Sequence, residues 1–319
     1  MGVYQNMNVV DGGFVAIHEG RQHNVRVSRQ LRPVYGTACG TACGPLRMEV
    51  VEPLERIRLT VAPGAGTVHG ELEWAATLPP QEERHHFVRS WGRVLEDYAR
   101  YDQIGELSGW LDVEGTRLEL DAWWACRDHS WGVRERVGIP EPYTGEVAPR
   151  GTSLFAFLFF STDTHGGHVQ VTRREGADHL TAEIVDRRTG ESVHGEHVVV
   201  DAEFVDDGRP RRFRRVELRV TGEAGEVTFD LEAQGPAVAM PGLGYGGYDD
   251  GLGLGVHRGL EHLESDVWDV SHPAEVGYPD GTTGRPVHRI QPVRVTQVGP
   301  SGATAGTGSL TFIAEGEMS

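Results

Sequence analysis

Cys126, Arg127, Asp128, His129, Ser130, Trp131, Gly132, Val133 and Arg134 stand in one uninterrupted stretch, and no other segment gathers so many chemically capable side chains. A carboxyl group next to an imidazole can move a proton. Burial disfavours the anion and raises a carboxyl pKa, so Asp128 can act as a general acid that stays neutral until it is used, with His129 sharing or relaying the proton. Arg127 opposes that role if it pairs with Asp128, because an adjacent cation lowers a carboxyl pKa. The ring faces of Trp124 and Trp131 can stabilise a developing carbocation by roughly 0.5 to 2 kcal/mol each. A structural reading stands beside the catalytic one: Asp128 fixes backbone N–H groups or Arg134, and the tryptophans close the base of a barrel.

These residues must be positioned by a strand. Leu118, Leu120, Ala122 and Trp124 alternate with Arg117, Glu119, Asp121 and Trp123, the period-two pattern of a strand with one buried face. Continued, that parity points Cys126, Asp128 and Ser130 inward and Arg127, His129 and Trp131 outward. A bulge at Trp123 and Trp124 exchanges the two sets, since one extra residue inverts everything beyond it. Either way, Asp128 and His129 face opposite sides. Residues 104–113 and 116–126 read as a hairpin about Glu114 and Gly115 that delivers the motif at the end of its second strand.

The 319 residues carry a net charge of -17, which repels nucleic acid and anionic membranes at long range. All thirty basic residues are arginine. Lysine Schiff-base chemistry, lysine-bound pyridoxal phosphate and a P-loop lysine are therefore excluded. Cys39, Cys43 and Cys126 form an odd set without a C-x-x-C spacing and read as free thiols of a reducing compartment. No signal peptide precedes residue 20, and the longest apolar run, 154–160, is too short to span a bilayer. The expectation is a cytoplasmic protein.

Along the chain, early strands fall around residues 14–17 and 25–27. The tandem Thr-Ala-Cys-Gly at 37–40 and 41–44 places two thiols on a loop or strand. Residues 48–61 and 68–78 read as long strands joined by a turn at 63–66. Val88, Trp91, Leu95 and Tyr98 suggest a short covering helix within 82–101. Residues 138–151 hold three prolines and three glycines and make the best linker. Nine further strands are expected, at 154–161, 168–174, 180–186, 198–205, 214–220, 227–233, 255–268, 287–298 and 308–314, the first two flanking a turn at 164–167. The fold class is all-β, two tandem antiparallel barrel or sandwich domains, 1–145 and 146–319.

Arg127, Asp128, His129, Ser130, Trp131 and Gly132, preceded by Tyr101, Asp102, Gln103 and Gly105 and by the Gly109 hairpin strand, resemble the motif of the two-domain lipocalin-like superfamily that includes the carotenoid 1,2-hydratases. The resemblance covers roughly residues 48–170. It implies a pair of calycin-like barrels and, in the hydratase branch, cofactor-free addition of water to an isoprenoid double bond. His129 and Trp131 match that branch's His-x-Trp. The branch's Tyr-x-Asp on the next strand is absent, because residues 154–160 are rich in phenylalanine instead. Substrate and hydration are not carried over.

Other clusters are read more plainly. His85 and His86, His165 and His168, and His194 and His197 are taken as surface histidines, and no metal site is expected. The five arginines within 209–215 are read as a solvated edge strand. Residues 242–248 form a lid or an irregular turn, with Tyr245 and Tyr248 over a pocket mouth. Glu261 or Glu264 and Trp268 line a site on the following strand.

The reading that follows is a cofactor-independent hydratase, cyclase or isomerase, with Asp128 and His129 as catalytic residues. Trp124, Trp131, Tyr245, Tyr248, Glu261 and Trp268 would contact a hydrophobic isoprenoid or polyketide-like molecule. The alternatives are a carrier of such a molecule and an interaction protein with filled barrels. A homodimer is left open.

Overall fold

The protein is described by a computed structural model covering residues 1–33, 40–90, 92–134, 137–139, 145, 153–174, 177–223, 225–300 and 302–315. Among the described residues the only helix is a 3-10 turn at Met240–Leu243, and everything else that is regular is strand. The all-β expectation holds. Alternating apolar positions, cut at short intervals by glycine turns, leave no stretch with a helical stripe to bury.

Three antiparallel sheets result. In the first, Gly2–Tyr4, Val9–His18 and Arg21–Gln30 are followed not by the next segment of chain but by Glu261–Asp269, Val276–Gly277 and Thr283–Gly284. The second runs Thr116–Val133, Arg93–Val113, Val68–Ala76, Arg56–Val61, Leu46–Glu52 and Gly40–Cys43, with Gln81–Glu82 and His86–Ser90 also on the long Arg93–Val113 strand. The third closes on itself. Its eight-stranded ring is completed where Gly225–Ala233 pairs with Arg289–Gly299, which abolishes the edges an open sheet would expose.

The first and second sheets enclose one core, built from Val10, Val25, Val27, Leu46, Val61, Val68 and Val113. The closed barrel is filled by Leu154, Ala156, Leu158, Phe160, Leu218, Phe229, Leu231 and Leu310 among others. Between them lies a third cluster of Leu78, Ile104, Phe157, Phe159 and Val185, with Trp124 and Cys126 packed against it. The continuous apolar run 154–160 is explained by this arrangement, since the even residues of Ser153–Thr162 fill the barrel while Phe157 and Phe159 face the neighbouring sheet.

Several expectations need correction. Residues 48–61 are two strands, Leu46–Glu52 and Arg56–Val61, folded about a turn in which Leu54 takes φ 63. Among the described residues no helix covers 82–101; His86–Ser90 and the start of Arg93–Val113 pair there. The strand expected from 255 begins at Glu261. His86 and His168 are buried rather than superficial. The arginines of 209–215 lead into Phe213–Gly222, an internal strand paired on both sides, and Arg212 is buried. Cys39 and most of the 138–151 linker lie outside the described residues, while Cys43 and Cys126 are free thiols. The division at 145/146 stays a proposal, and the strand Glu261–Asp269 sits in a sheet with residues from the chain's beginning.

Candidate functional site

The hairpin turns at Glu114 (φ 52) and Gly115 (φ 84), the two left-handed positions that a tight two-residue connection requires. Near the turn Leu111, Val113 and Leu118 join the first core. Then the register shifts. Leu107 opposes Trp123 while Gly109 opposes Leu120, so Asp121 and Ala122 together face Ser108, with Ala122 at φ 50 and its N–H donating to Ser108 Oγ at 3.0 Å. This is the face-exchanging bulge, one step earlier than Trp123 and Trp124.

Beyond the bulge the two faces differ in chemistry. On the side continuing from the first core, Tyr101, His129 and Trp131 form an aromatic group with ring centroids 5.3, 5.6 and 6.2 Å apart. Arg127 belongs to this group, donating from Nη2 to the Tyr101 hydroxyl at 2.6 Å and lying over the Trp74 ring at 5.3 Å. Burial, then the neighbouring Arg127 charge, lowers the His129 pKa, so its imidazole is neutral near pH 7. Trp131 is 53% exposed, and the platform is open to solvent.

Asp128 points the other way. It stands directly across from Asp102 in the register, its side chain half exposed, with Oδ2 3.6 Å from Arg100 Nη1. Arg127 does not pair with it. Arg100 is buried, stacked over Phe157 at 4.7 Å, and its Nε lies 3.0 Å from Glu83 Oε2. Gln170, with its amide turned to suit, donates to Glu83 at 3.0 Å and accepts from Arg100 Nη2 at 3.2 Å. Asp102 Oδ2 is 3.3 Å from His168 Nδ1, and both residues are wholly enclosed.

Two carboxyl groups in this enclosure cannot both ionise against one guanidinium. Burial, and next the Glu83 carboxylate, push Asp102 far above the usual carboxylate range, with Arg100 acting in the opposite sense. Burial, and next Arg100, push His168 down to about 3. The resulting charge state at neutral pH is an Arg100–Glu83 ion pair beside a neutral Asp102 and a neutral His168. The 3.3 Å approach of Asp102 to His168 is thus a contact of neutral groups. A proton on Asp102 also supplies a donor, where both carboxylate oxygens otherwise have no partner.

Glu83, Asp102 and His168 also present three donor atoms within 4.8 Å of one another, a set that could hold a metal ion. Arg100 weighs against a divalent cation there, because it already neutralises Glu83 and would repel a second positive charge. One proton satisfies the group at less electrostatic cost.

The remaining sequence-derived candidates separate. Trp124 is half buried against the cluster between the barrel and the second sheet, its indole N–H without a partner. Tyr245 is half exposed and 5.4 Å from the His288 ring, with no hydrogen bond or ring contact to Asp128 or His129 among the described residues; its pKa is raised by burial and next by the Asp128 carboxylate. Tyr248 is buried, donating to Val27 O at 3.0 Å under the Arg258 guanidinium, and pins its loop. Glu261 is exposed on the first sheet. Trp268 packs on Tyr278 and borders an open cleft of about 830 Å³ with Arg26, Glu264 and Asp266. Neither Asp128 nor His129 lines that cleft.

Sequence reasoning missed Glu83, Arg100, Gln170 and His168 as partners of the motif. The available signal was the alternation of Tyr98, Arg100, Asp102 and Ile104: folding the hairpin about Glu114 with one extra residue brings Asp102 opposite Asp128.

Residues 1–278 match a family of unknown function, DUF8625, and the chain belongs to that family. No curated protein matches it in sequence. Among solved structures, a Nitrosomonas europaea protein assigned as an AttH is similar at 10% identity and a TM-score of 0.52, over 97% of this chain and 94% of that one. Kievitone hydratase from Nectria haematococca is similar at 11% identity and a TM-score of 0.48, over 96% and 88%. At such identities the AttH likeness defines the fold alone, all-β and lipocalin-like.

Proposed function

We propose that the protein is a cofactor-independent acid catalyst acting on a hydrophobic small molecule, through addition of water, cyclisation or isomerisation at a carbon–carbon double bond. The observation that carries this reading is the cross-strand pair of Asp128, half exposed, and Asp102, enclosed and held neutral, with Arg100 between them. Asp128 is the group that meets substrate. A proton leaving it produces a carboxylate that Arg100 stabilises at 3.6 Å, and water, to which Asp128 is half exposed, returns the proton.

The test is incubation with a panel of apolar polyenes and aryl-substituted alkenes in D2O, followed by mass spectrometry. Conversion is expected to bring deuterium into carbon, and Asp128→Asn is expected to slow it about 10²-fold or more while ligand binding persists. Full turnover in a folded Asp128→Asn protein removes the assignment.

A second reading is favoured by the Tyr101, His129 and Trp131 platform, which offers aromatic surface on the face away from Asp128 and Asp102. On that reading the protein carries its ligand unchanged. Trp131→Ala would then abolish the ligand-dependent change in tryptophan fluorescence, Asp128→Asn would not, and no member of the panel would be converted.

A further inference from the structure

The arginine-rich stretch 209–215 turns out to be the most unusual electrostatic feature outside the candidate site. Of its five arginines, Arg211 lies over Phe204, Arg214 donates to Phe204 O, and Arg215 is held by Asp230 and Glu203. Arg212 differs. It is 7% exposed, and among the described residues no carboxylate lies within salt-bridge distance; Nη2 donates to Pro286 O. Arg289, at the start of Arg289–Gly299, is 6% exposed and equally without a carboxylate, its Nη1 donating to Pro273 O at 2.7 Å.

Arg285 completes the group. Its Nη2 takes both oxygens of Asp206 at 2.8 and 2.7 Å, and its guanidinium lies against the chain at Gly208. The segments therefore cross: Arg212 reaches the backbone beside Arg285, and Arg285 reaches the turn just before Arg212. Of the three guanidiniums only that of Arg285 pairs with a carboxylate, and the Nε atoms of Arg212, Arg285 and Arg289 are all buried without a partner among the described residues. Arg285 and Asp206, with side chains 20% and 40% exposed, form the side open to solvent.

Unpaired buried charge is costly even after relaxation. A water molecule can satisfy an N–H group, yet it offsets none of the net charge. Desolvation first, then repulsion from Arg289 and Arg285, pulls Arg212 down to about 9; desolvation and Arg285 pull Arg289 down to about 10. Both guanidiniums stay charged at neutral pH, and among the described residues no carboxylate pairs with either. We propose that Arg212, Arg285 and Arg289 form a binding site for a small oxyanion, of the phosphate or carboxylate class, where the chain passes from the first sheet back into the closed barrel. The oxyanion would accept from the free Nε–H and Nη–H groups, the geometry for which arginine forks are suited.

The measurement is isothermal titration of the full chain with sodium phosphate and, separately, sodium acetate, with chloride holding ionic strength constant. Saturable binding of either anion near one per chain is expected, the tighter of the two naming the class. Arg212→Gln and Arg289→Gln are each expected to weaken it at least tenfold, and the exposed Arg214→Gln to leave it unchanged. The site is overturned if wild-type protein shows no saturable heat with either anion, whatever the variants do. Binding that persists at full affinity in either folded variant, Arg212→Gln or Arg289→Gln, overturns it equally.

Discussion

Asp102 and His168 titrate in opposite senses, and the signs decide how stability follows pH. A carboxyl group raised in the folded state binds its proton more tightly there, so its contribution is full below about pH 4 and is lost as pH climbs toward the folded pKa. His168, depressed to about 3, contributes above its ordinary value near 6.5 and loses that contribution as pH falls toward 3. Above pH 7 the histidine is silent and only Asp102 speaks. Asp102→Asn keeps the shape and, like the protonated acid, carries no charge, so the variant is expected to fold. Its stability should decline less than that of the wild type as pH rises from 7 to 9, measured by urea denaturation. A variant that loses several kcal/mol equally at all these pH values would show Asp102 to be ionised and paired instead. In the sequence, Asp102 was visible only as part of a resembling motif. Glu83 and His168 are brought to it by strand register and by packing across sheets, and nothing in their own neighbourhoods marks them as enclosed.

Strand alternation was legible wherever one face was apolar, and it failed where the enclosed face is polar. In Arg93–Val113 the inward residues Arg100 and Asp102 hide the period of two, and the near-helical spacing of Val88, Trp91, Leu95 and Tyr98 stands out in its place. The fold at 53–55 was missed because Leu54, not glycine, takes the left-handed position. The bulge was anticipated as a choice between faces, but its location depends on Ser108 and Ala122 meeting across the hairpin. Gly132 tests whether this element is as constrained as the geometry implies. At φ 134 it sits opposite Tyr98, where an added Cβ would lie 2.2 Å from Asp97 O and 2.6 Å from Tyr98 Cα. Both are backbone atoms, so neither yields by a rotamer change. Gly132→Ala is expected to destabilise by about 1–3 kcal/mol, read as a lower urea midpoint with an unchanged m-value. A midpoint equal to that of the wild type would mean the hairpin end moves freely enough to accept the methyl group.

The all-β class followed from patterning, but which strands share a sheet did not, because the pairing of Arg21–Gln30 with Glu261–Asp269 joins segments far apart in the chain. No local signal encodes such a partner. Its consequence reaches the proposed division at 145/146. Arg26, 1% exposed, is satisfied by Asp266 at 2.7 Å and by Glu264 at 3.3 Å, and Asn24 donates to Asp266 at 2.8 Å. A fragment ending at residue 145 keeps Arg26 and loses both carboxylates. It also bares the backbone edge of Arg21–Gln30, a row of unpaired groups that templates aggregation. Residues 1–145 alone are therefore expected to lack a cooperative melting transition. The full chain should unfold in a single calorimetric step, because its first sheet cannot outlast the segment that leaves and re-enters the closed barrel. Co-expression with residues 146–319 should restore a soluble complex, since the second fragment carries the missing strand. A 1–145 fragment that melts cooperatively on its own would show that the first two sheets hold without Glu261–Asp269, and that the shared strand is an addition to a self-sufficient domain.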